Sequence, residues 1–124
     1  MHYMIEKTRN AGTQTEAAYW GGIRSALRRH FRYWKPALNA KYAARRTYVG
    51  PNKRQKWEYQ CAHCKQWFME KEVQTDHIIP AGSLKSGKDI EAFVERLTPE
   101  AGFQELCKPC HQIKTNNERE VNTK

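Results

Sequence analysis

The stretches CAHCKQWF (residues 61–68) and LCKPCHQIKT (residues 106–115) contain every cysteine of this 124-residue chain, in two CxxC pairs. A CxxC turn places two thiolates on one side of a tight bend, and two such turns complete the tetrahedron that zinc prefers. Because four thiolates leave no coordination position open, we expect this zinc to be structural. The spacing predicts a small domain tied together by the ligands Cys61, Cys64, Cys107 and Cys110.

Disulfide bonding is the alternative use of these cysteines, and a lone CxxC also occurs at redox sites. Disulfides suit secreted proteins, but the first 20 residues (MHYMIEKTRNAGTQTEAAYW) lack the apolar run of a signal peptide. The sequence also contains no apolar stretch long enough to span a membrane. We therefore expect a cytoplasmic protein with no membrane partner.

Hydrophobic spacing around the cysteines predicts an α+β fold. The first CxxC leads into a return strand, and residues 71–79 (KEVQTDHII) have strand character. Residues 88–97 carry apolar side chains at helical spacing, and residues 103–106 (FQEL) are a short strand candidate. Pro109 suits the first turn of a final helix, because backbone N–H groups in that turn make no hydrogen bond within the helix and proline lacks this group.

Charge is unevenly spread along the chain. Residues 1–60 hold 13 Lys/Arg and 3 Asp/Glu, a net charge of +10, whereas residues 61–124 hold 9 Lys/Arg and 10 Asp/Glu, a net charge of −1. A polycation attracts polyanions, and nucleic acid is the usual one. The alternative is a solvated basic face that only confers solubility. With aromatic residues interleaved among the cations, we favour nucleic acid as the partner.

Residues 20–35 (WGGIRSALRRHFRYWK) predict an amphipathic helix that Pro36 should end. Its apolar stripe is interpreted as core packing rather than base stacking, and its arginines as DNA contacts. Residues 37–46 predict a second short helix, and residues 48–60 a basic connector with Gly50 and Pro51. The candidate DNA-binding residues from this region are Arg24, Arg28, Arg29, Arg32, Lys35, Arg45, Arg46, Lys53 and Arg54.

A second set of chemically active residues is associated with the CxxC pairs. Asp76-His77-Ile78-Ile79-Pro80 lies between them, and His111 directly follows the last cysteine. The combination CAHC…DHIIP…LCKPCHQIKT resembles the HNH, or ββα-metal, endonuclease family in its zinc-stapled form. The resemblance covers residues 57–118. Residues 24–115 are also similar to small HNH proteins encoded by tailed bacteriophages.

This resemblance implies an α+β fold with a ββα-metal core, a structural zinc and an N-terminal basic helical extension. The implied organisation is a disordered leader at 1–19, a DNA-binding extension at 20–56 and a nuclease domain at 57–124. In the family, the strand that carries DH supplies a metal ligand and the general base, and the following helix supplies another ligand. Asp76 and His111 would therefore bind one catalytic divalent cation such as Mg²⁺ or Mn²⁺, and His77 would be the base.

The chemistry of phosphodiester hydrolysis agrees with these residue types. A histidine can take a proton from water near neutral pH, and a divalent ion can neutralise charge that develops on the phosphate. Adjacent strand residues point to opposite faces, so Asp76 and His77 share a site only where the strand ends or bends. The alternative makes Asp76 a turn residue and His77 an ordinary surface histidine.

One position departs from the family pattern. Gly102 stands where the family usually has the asparagine that holds the base histidine through its backbone. Lys114, one turn beyond Cys110, could reach a DNA phosphate or be an ordinary solvated charge.

Three functions remain open from the sequence. The first is a metal-dependent DNA endonuclease, encoded by a phage and acting in the host cytoplasm. The second is a non-catalytic zinc-stabilised DNA-binding module. The third is an adaptor bound to a larger nuclease or packaging machine, and phage packaging or homing proteins are the expected partners. The placement of DHIIP beside CxxCH favours the first, and Gly102 argues against it.

Overall fold

The computed structural model describes residues 5–123, with side chains up to residue 119. It is an α+β structure, as the sequence predicts. In chain order the elements are β1 (Lys7–Arg9), β2 (Gln14–Thr15), α1 (Glu16–His30), α2 (Lys35–Ala43), β3 (Arg45–Thr47), β4 (Trp57–Gln60), β5 (Trp67–Phe68), β6 (Val73–His77), α3 (Ile90–Leu97), β7 (Phe103–Cys107) and α4 (Lys108–Thr123). The chain divides into two compact units, each built from two segments.

The first unit combines the N-terminal segment up to residue 34 with residues 79–99. Its buried core is formed by residues of the second segment, and α1 packs its apolar stripe against them. The interpretation of that stripe as core packing is thus confirmed. The buried residues are Ala81, Leu84, Phe93 and Leu97, and the partners from α1 and its C-terminal end are Trp20, Ile23, Leu27 and Phe31.

The predicted leader contains regular structure in its described part. Residues 5–15 include the antiparallel pair β1–β2, and Asn10, Ala11 and Gly12 between these strands have positive φ. The hydroxyl of Thr15 accepts a hydrogen bond from the N–H of Ala18 and caps α1. The prediction of disorder over 1–19 is therefore wrong for residues 5–19, and residues 1–4 lie outside the described part.

The two predicted helices are present with shifted ends. The Thr15 cap starts α1 four residues before the predicted helix, and α1 ends at His30 instead of Lys35. Pro36 is the second residue of α2, where the lack of an N–H removes no helical hydrogen bond. The proline therefore begins the second helix and does not end the first.

The second unit combines residues 35–78 with the segment from residue 100 onward. It contains the three-stranded sheet β3-β4-β5 and the antiparallel pair β6–β7, in which Asp76 is paired with Gln104 and His77 with Phe103. Helix α4 follows β7 directly and contacts both strands of that pair. The predicted boundary after residue 56 separates β3 from β4, although these strands pair, so the compact units do not follow it.

None of the described helices combines the length and apolar character needed to cross a membrane.

Candidate functional site

The four cysteines meet at one point of the second unit. Their sulfur atoms all lie within 4.8 Å of one another, and the Sγ atoms of Cys64 and Cys107 are 4.0 Å apart. Zinc–sulfur bonds of 2.3 Å in a tetrahedron require sulfur separations of roughly 3.8 Å. All four cysteines belong to the described part of the chain, and none forms a disulfide. The predicted cysteine cluster is confirmed, and its geometry suits a structural zinc ion.

The first CxxC turn is shaped by backbone hydrogen bonds around Cys61. The N–H of Lys65 donates to the carbonyl of Cys61 at 3.0 Å, and the N–H of Cys61 donates to the carbonyl of Gln66 at 3.0 Å. Lys65 adopts a positive φ of 65°, which reverses the chain, and the N–H of Cys64 points at the Cys61 sulfur at 3.5 Å. The turn thus presents N–H donors to a sulfur atom and favours the thiolate.

The thiols of the cluster differ in acidity. Burial raises the pKa of Cys61, but hydrogen bonds from backbone N–H groups of Cys107, Cys64 and His63 outweigh it and lower that pKa to about 6. A hydrogen bond with the Cys107 thiol, together with burial, raises the pKa of Cys110 to about 12. Cysteine ligands bind zinc as thiolates, so metal uptake at this cluster must release protons.

A second polar cluster lies where α4 packs on the pair β6–β7. The carboxylate of Asp76 is only 12 % exposed, and its Oδ1 lies 3.4 Å from Nε2 of His111. Its Oδ2 accepts a hydrogen bond from Nε2 of Gln104 at 3.2 Å, across the strand pair. The structure therefore brings together the two residues expected to bind the catalytic cation. Two ligand atoms 3.4 Å apart can share one ion, because metal bonds near 2.1 Å span that distance.

Lys114 joins the same cluster. Its ammonium nitrogen lies 3.1 Å from Oδ2 of Asp76 and donates to the backbone carbonyl of His77 at 3.1 Å. It also pairs with Glu118 one turn later on α4. Burial alone would lower the pKa of Lys114, but hydrogen bonds to Glu118 and Asp76 raise it above its usual value. Lys114 is therefore a fixed cation of this cluster.

The side chain of His77 has a different environment. Its ring centroid lies 4.7 Å from that of Phe103, its cross-strand partner on β7. His77 is the last residue of β6 and directly follows Asp76, so the alternation of side chains on a regular strand ends at this pair. Among the described residues, the only group of three or more metal-binding side chains is the cysteine cluster. The side chains of His77, Asp76 and His111 do not form a comparable group of three in the described structure.

The predicted DNA-binding residues have unequal surroundings. Arg28, Arg29 and Arg32 of the first unit are exposed. Arg24 is partly buried: its Nε donates to the carbonyl of Gly82 at 3.0 Å, and its guanidinium lies 5.8 Å from the Phe93 ring centroid. Burial lowers the pKa of Arg24, and the charge of Arg28 lowers it further. The structural contacts of Arg24 distinguish it from its exposed neighbours.

The candidates of the second unit also divide into two kinds. Lys35, Lys53 and Arg54 are exposed. Arg45 and Arg46 stack on aromatic rings of the same unit, with the guanidinium carbon of Arg46 3.7 Å from the Trp67 ring centroid. The sequence did not reveal this stacking, because Trp67 and Arg46 come together only through the pairing of β3, β4 and β5.

The sequence also did not single out Glu105, the one charged residue that is buried within the described part of the chain. Its Oε1 accepts a hydrogen bond from the hydroxyl of Thr75, whereas its Oε2 is buried without a hydrogen-bond partner. Burial raises the pKa of Glu105, although the Thr75 hydrogen bond and the charge of Lys41 lower it. A glutamate within the short segment FQEL does not by itself indicate that its side chain is buried.

Comparison of the chain with protein-family models, with curated proteins and with solved structures gave no match.

Proposed function

We propose that this protein is a metal-dependent DNA endonuclease of the HNH type that carries a structural zinc ion. The observation behind the proposal is the proximity of Asp76 and His111, whose ligand atoms are 3.4 Å apart. These residues come from β6 and α4, and β7 leads directly into α4, in the strand–strand–helix order that the resemblance implies. The contact between Asp76 and His111 thus joins the two residues that the resemblance assigns to the cation.

The proposed zinc would be held by the four cysteines. A closed four-thiolate shell has no position for substrate, so this ion stabilises the fold and takes no part in hydrolysis. Cys107 ends β7 and Cys110 lies in the first turn of α4. The zinc therefore fixes the start of the helix that carries His111.

The proposed catalytic cation would be held by Asp76 and His111, with water or phosphate oxygens as further ligands. When bound there, such an ion would supply positive charge to offset the charge that develops on the phosphate and the leaving oxygen. His77 would take the proton from the attacking water, a step that contributes typically 10²–10⁴-fold. The bond from Lys114 to the His77 carbonyl holds the backbone of the base against α4.

The proposed DNA contacts are the exposed cations of the two units. Phosphate contacts of this kind supply affinity without sequence preference, and they weaken with added salt. The surplus of positive charge lies in residues 1–60, and it includes Arg28 and Arg29 on α1. We therefore propose that these residues bind the duplex that is cut at the site of Asp76, His77 and His111.

Cleavage of supercoiled plasmid in Mg²⁺, Mn²⁺ or Ni²⁺ tests the proposal. The wild-type protein should nick or linearise the plasmid, and His77→Ala should slow cleavage by roughly a hundredfold or more. Asp76→Ala and His111→Ala should instead weaken metal binding, and excess Mn²⁺ should restore part of their activity. His63→Ala is the matched control, since His63 is exposed and lies outside the proposed site. If His77→Ala cleaves as fast as the wild type with every ion, the proposed mechanism is incorrect.

A non-catalytic zinc-stabilised DNA-binding module is the second candidate, alone or as an accessory of a packaging machine. The contact of Lys114 with Asp76 favours it, because an ammonium group occupies one carboxylate oxygen of the proposed cation site. Tight DNA binding, together with no cleavage in any of the three ions, would support this candidate over the endonuclease.

A further inference from the structure

The second unit has an exposed aromatic surface beside a cavity, separate from both metal-ligand clusters. Arg45 lies between two rings: its guanidinium carbon is 4.6 Å from the Tyr42 centroid and 4.0 Å from the Trp57 centroid. Tyr42 is 48 % exposed and Trp57 39 % exposed. The two rings and the guanidinium group that contacts both of them form an aromatic and cationic platform at the surface.

The cavity adjoins this platform. It has a volume of about 420 Å³ and lies between the connector before β4 and the turn after β5. Trp57 and Met69 contribute apolar surface, and Arg54, Lys56 and Lys71 contribute positive charge. The acidic lining residue, Glu70, is paired with Lys41 at 3.0 Å. The lining therefore combines an aromatic face with a surplus of cations.

We propose that this cavity binds an unpaired nucleotide of single-stranded DNA, with the base stacked on Trp57 and the phosphates near Arg54, Lys56 and Lys71. Aromatic stacking surfaces within cationic grooves are the usual means of binding single strands. The cavity volume falls in the range of sites for one small organic group. Bases inside a duplex are stacked on each other, so their faces cannot reach Trp57. A single strand, or a single-stranded segment at a gap or branch, can supply such a base.

This inference deepens the proposed function, since it takes DNA as the partner and adds a preference for substrates with unpaired nucleotides. It does not require cleavage. Binding can therefore be measured without added divalent ions, which separates the two proposals. A protein that cuts plasmid without any Trp57-dependent preference would refute the inference alone. A protein that shows this preference but never cuts would refute the endonuclease alone.

The test measures affinity for a labelled 15-nucleotide oligo-dT strand and for a blunt duplex of the same length, by fluorescence anisotropy with the full chain. Trp57→Ala should weaken binding of the single strand by roughly tenfold or more and leave duplex affinity within about twofold. Trp57→Phe should retain most of the affinity, because a smaller ring still stacks. Tyr33→Ala is the matched control, since Tyr33 is another exposed ring covered by an arginine, with Arg32 at 4.6 Å.

A charge reversal checks the result where loss of Trp57 disturbs folding. Lys71→Glu changes an exposed side chain at the cavity and should weaken single-strand binding at least fivefold more than Lys7→Glu, an exposed lysine of the first unit. Circular dichroism confirms the fold of each variant. Equal losses for Trp57→Ala and Tyr33→Ala, or equal losses for the two charge reversals, would overturn the proposal.

Discussion

The ammonium nitrogen of Lys114 lies 3.1 Å from Oδ2 of Asp76, on the helix that also presents His111 to the other oxygen of that carboxylate. A fixed positive charge at this distance opposes binding of a divalent cation. Lys114→Gln should therefore tighten Mn²⁺ binding by about threefold, the scale of a partly exposed ion pair. Calorimetric titration of the zinc-loaded protein with Mn²⁺ measures this change in affinity.

Lys108→Gln provides the control for that experiment. Lys108 is an exposed lysine at the start of α4, and its replacement by glutamine removes the same formal charge as Lys114→Gln. Weaker Mn²⁺ binding in Lys114→Gln than in Lys108→Gln would show that Lys114 supports the proposed cation site instead of competing for it.

The cysteine cluster leads to a prediction about folding. Purified protein should contain about one tightly held zinc per chain, and Cys107→Ser should lose that zinc and unfold, because metal binding and folding are coupled in such sites. His63→Ala, in the same turn as Cys61 and Cys64, should retain both zinc and fold. Metal analysis and circular dichroism decide the matter, and a well-folded zinc-free wild-type protein would contradict it.

Much of the local structure could be predicted from the sequence. Three features could be predicted because each depends on residues that are close together in the sequence. They are the apolar stripe of α1, the CxxC turns and the strand that precedes α4. The ends of α1 depended on Thr15 and Pro36, whose roles as a cap and as an early helical residue were not recognised. The division into two units was also missed. It depends on residues 79–99 packing with α1, a contact between segments that no local pattern reveals.

Only part of the proposed site could be predicted, because some of its contacts form between segments that are distant in the sequence. The contact between Asp76 and His111 agrees with the positions that the family pattern assigns. Gln104 and Lys114 complete that cluster through strand pairing and helix packing, so their roles required the register of β6 with β7. The stack of Tyr42, Arg45 and Trp57 likewise joins residues from α2, β3 and β4. Its members carry no recognisable spacing in the sequence.

The environments of the arginines of α1 predict two different mutant phenotypes. Arg28→Ala with Arg29→Ala should reduce the slope of log affinity for duplex DNA against log salt by about 2, because the two proposed phosphate contacts would be lost. Arg24→Ala should leave that slope nearly unchanged and lower stability by about 1 kcal/mol, through loss of its contacts with Gly82 and Phe93. Salt titrations and urea denaturation of both variants test this. Equal salt slopes for the double variant and the wild type would refute the assignment.

Gly102 is constrained by its backbone. Its φ is +95°, its carbonyl accepts a hydrogen bond from the N–H of Ile78 at 2.9 Å, and an added Cβ would meet nothing within 4 Å. Gly102→Ala should therefore destabilise the protein by about 1–2 kcal/mol through backbone strain alone. Gly102→Asn should cost less, because asparagine tolerates positive φ better.

Gly21→Ala serves as the control for Gly102. Gly21 lies in α1 with no atom near an added Cβ, so alanine there should stabilise by roughly 0.5–1 kcal/mol. Urea denaturation compares the variants. If Gly102→Ala stabilises the protein as Gly21→Ala does, then an alanine at this positive φ causes no backbone strain. If an asparagine here steadies His77, Gly102→Asn should also cleave plasmid faster than Gly102→Ala.

The buried carboxyl of Glu105 predicts a dependence of stability on pH. Burial, the largest influence, raises its folded pKa above that of the unfolded chain. Below the usual pKa of a glutamate both states are protonated, and at higher pH the unfolded chain loses its proton first. Stability should therefore decrease as the pH rises through the window between the unfolded and the folded pKa, and then level off.

Glu105→Gln should remove this dependence while keeping an oxygen that can accept the Thr75 hydroxyl. The variant should match the wild type near pH 4.5 and exceed its stability by about 1 kcal/mol or more at pH 8, because a neutral amide costs less to bury than a carboxylate. Glu72→Gln, at an exposed position, should show no such pH-dependent difference. Urea denaturation of the three zinc-loaded proteins between pH 4.5 and 8 measures the effect. A Glu105→Gln variant that loses stability relative to the wild type as the pH rises would mean that the ionised carboxylate is held by Lys41 and stabilises the fold.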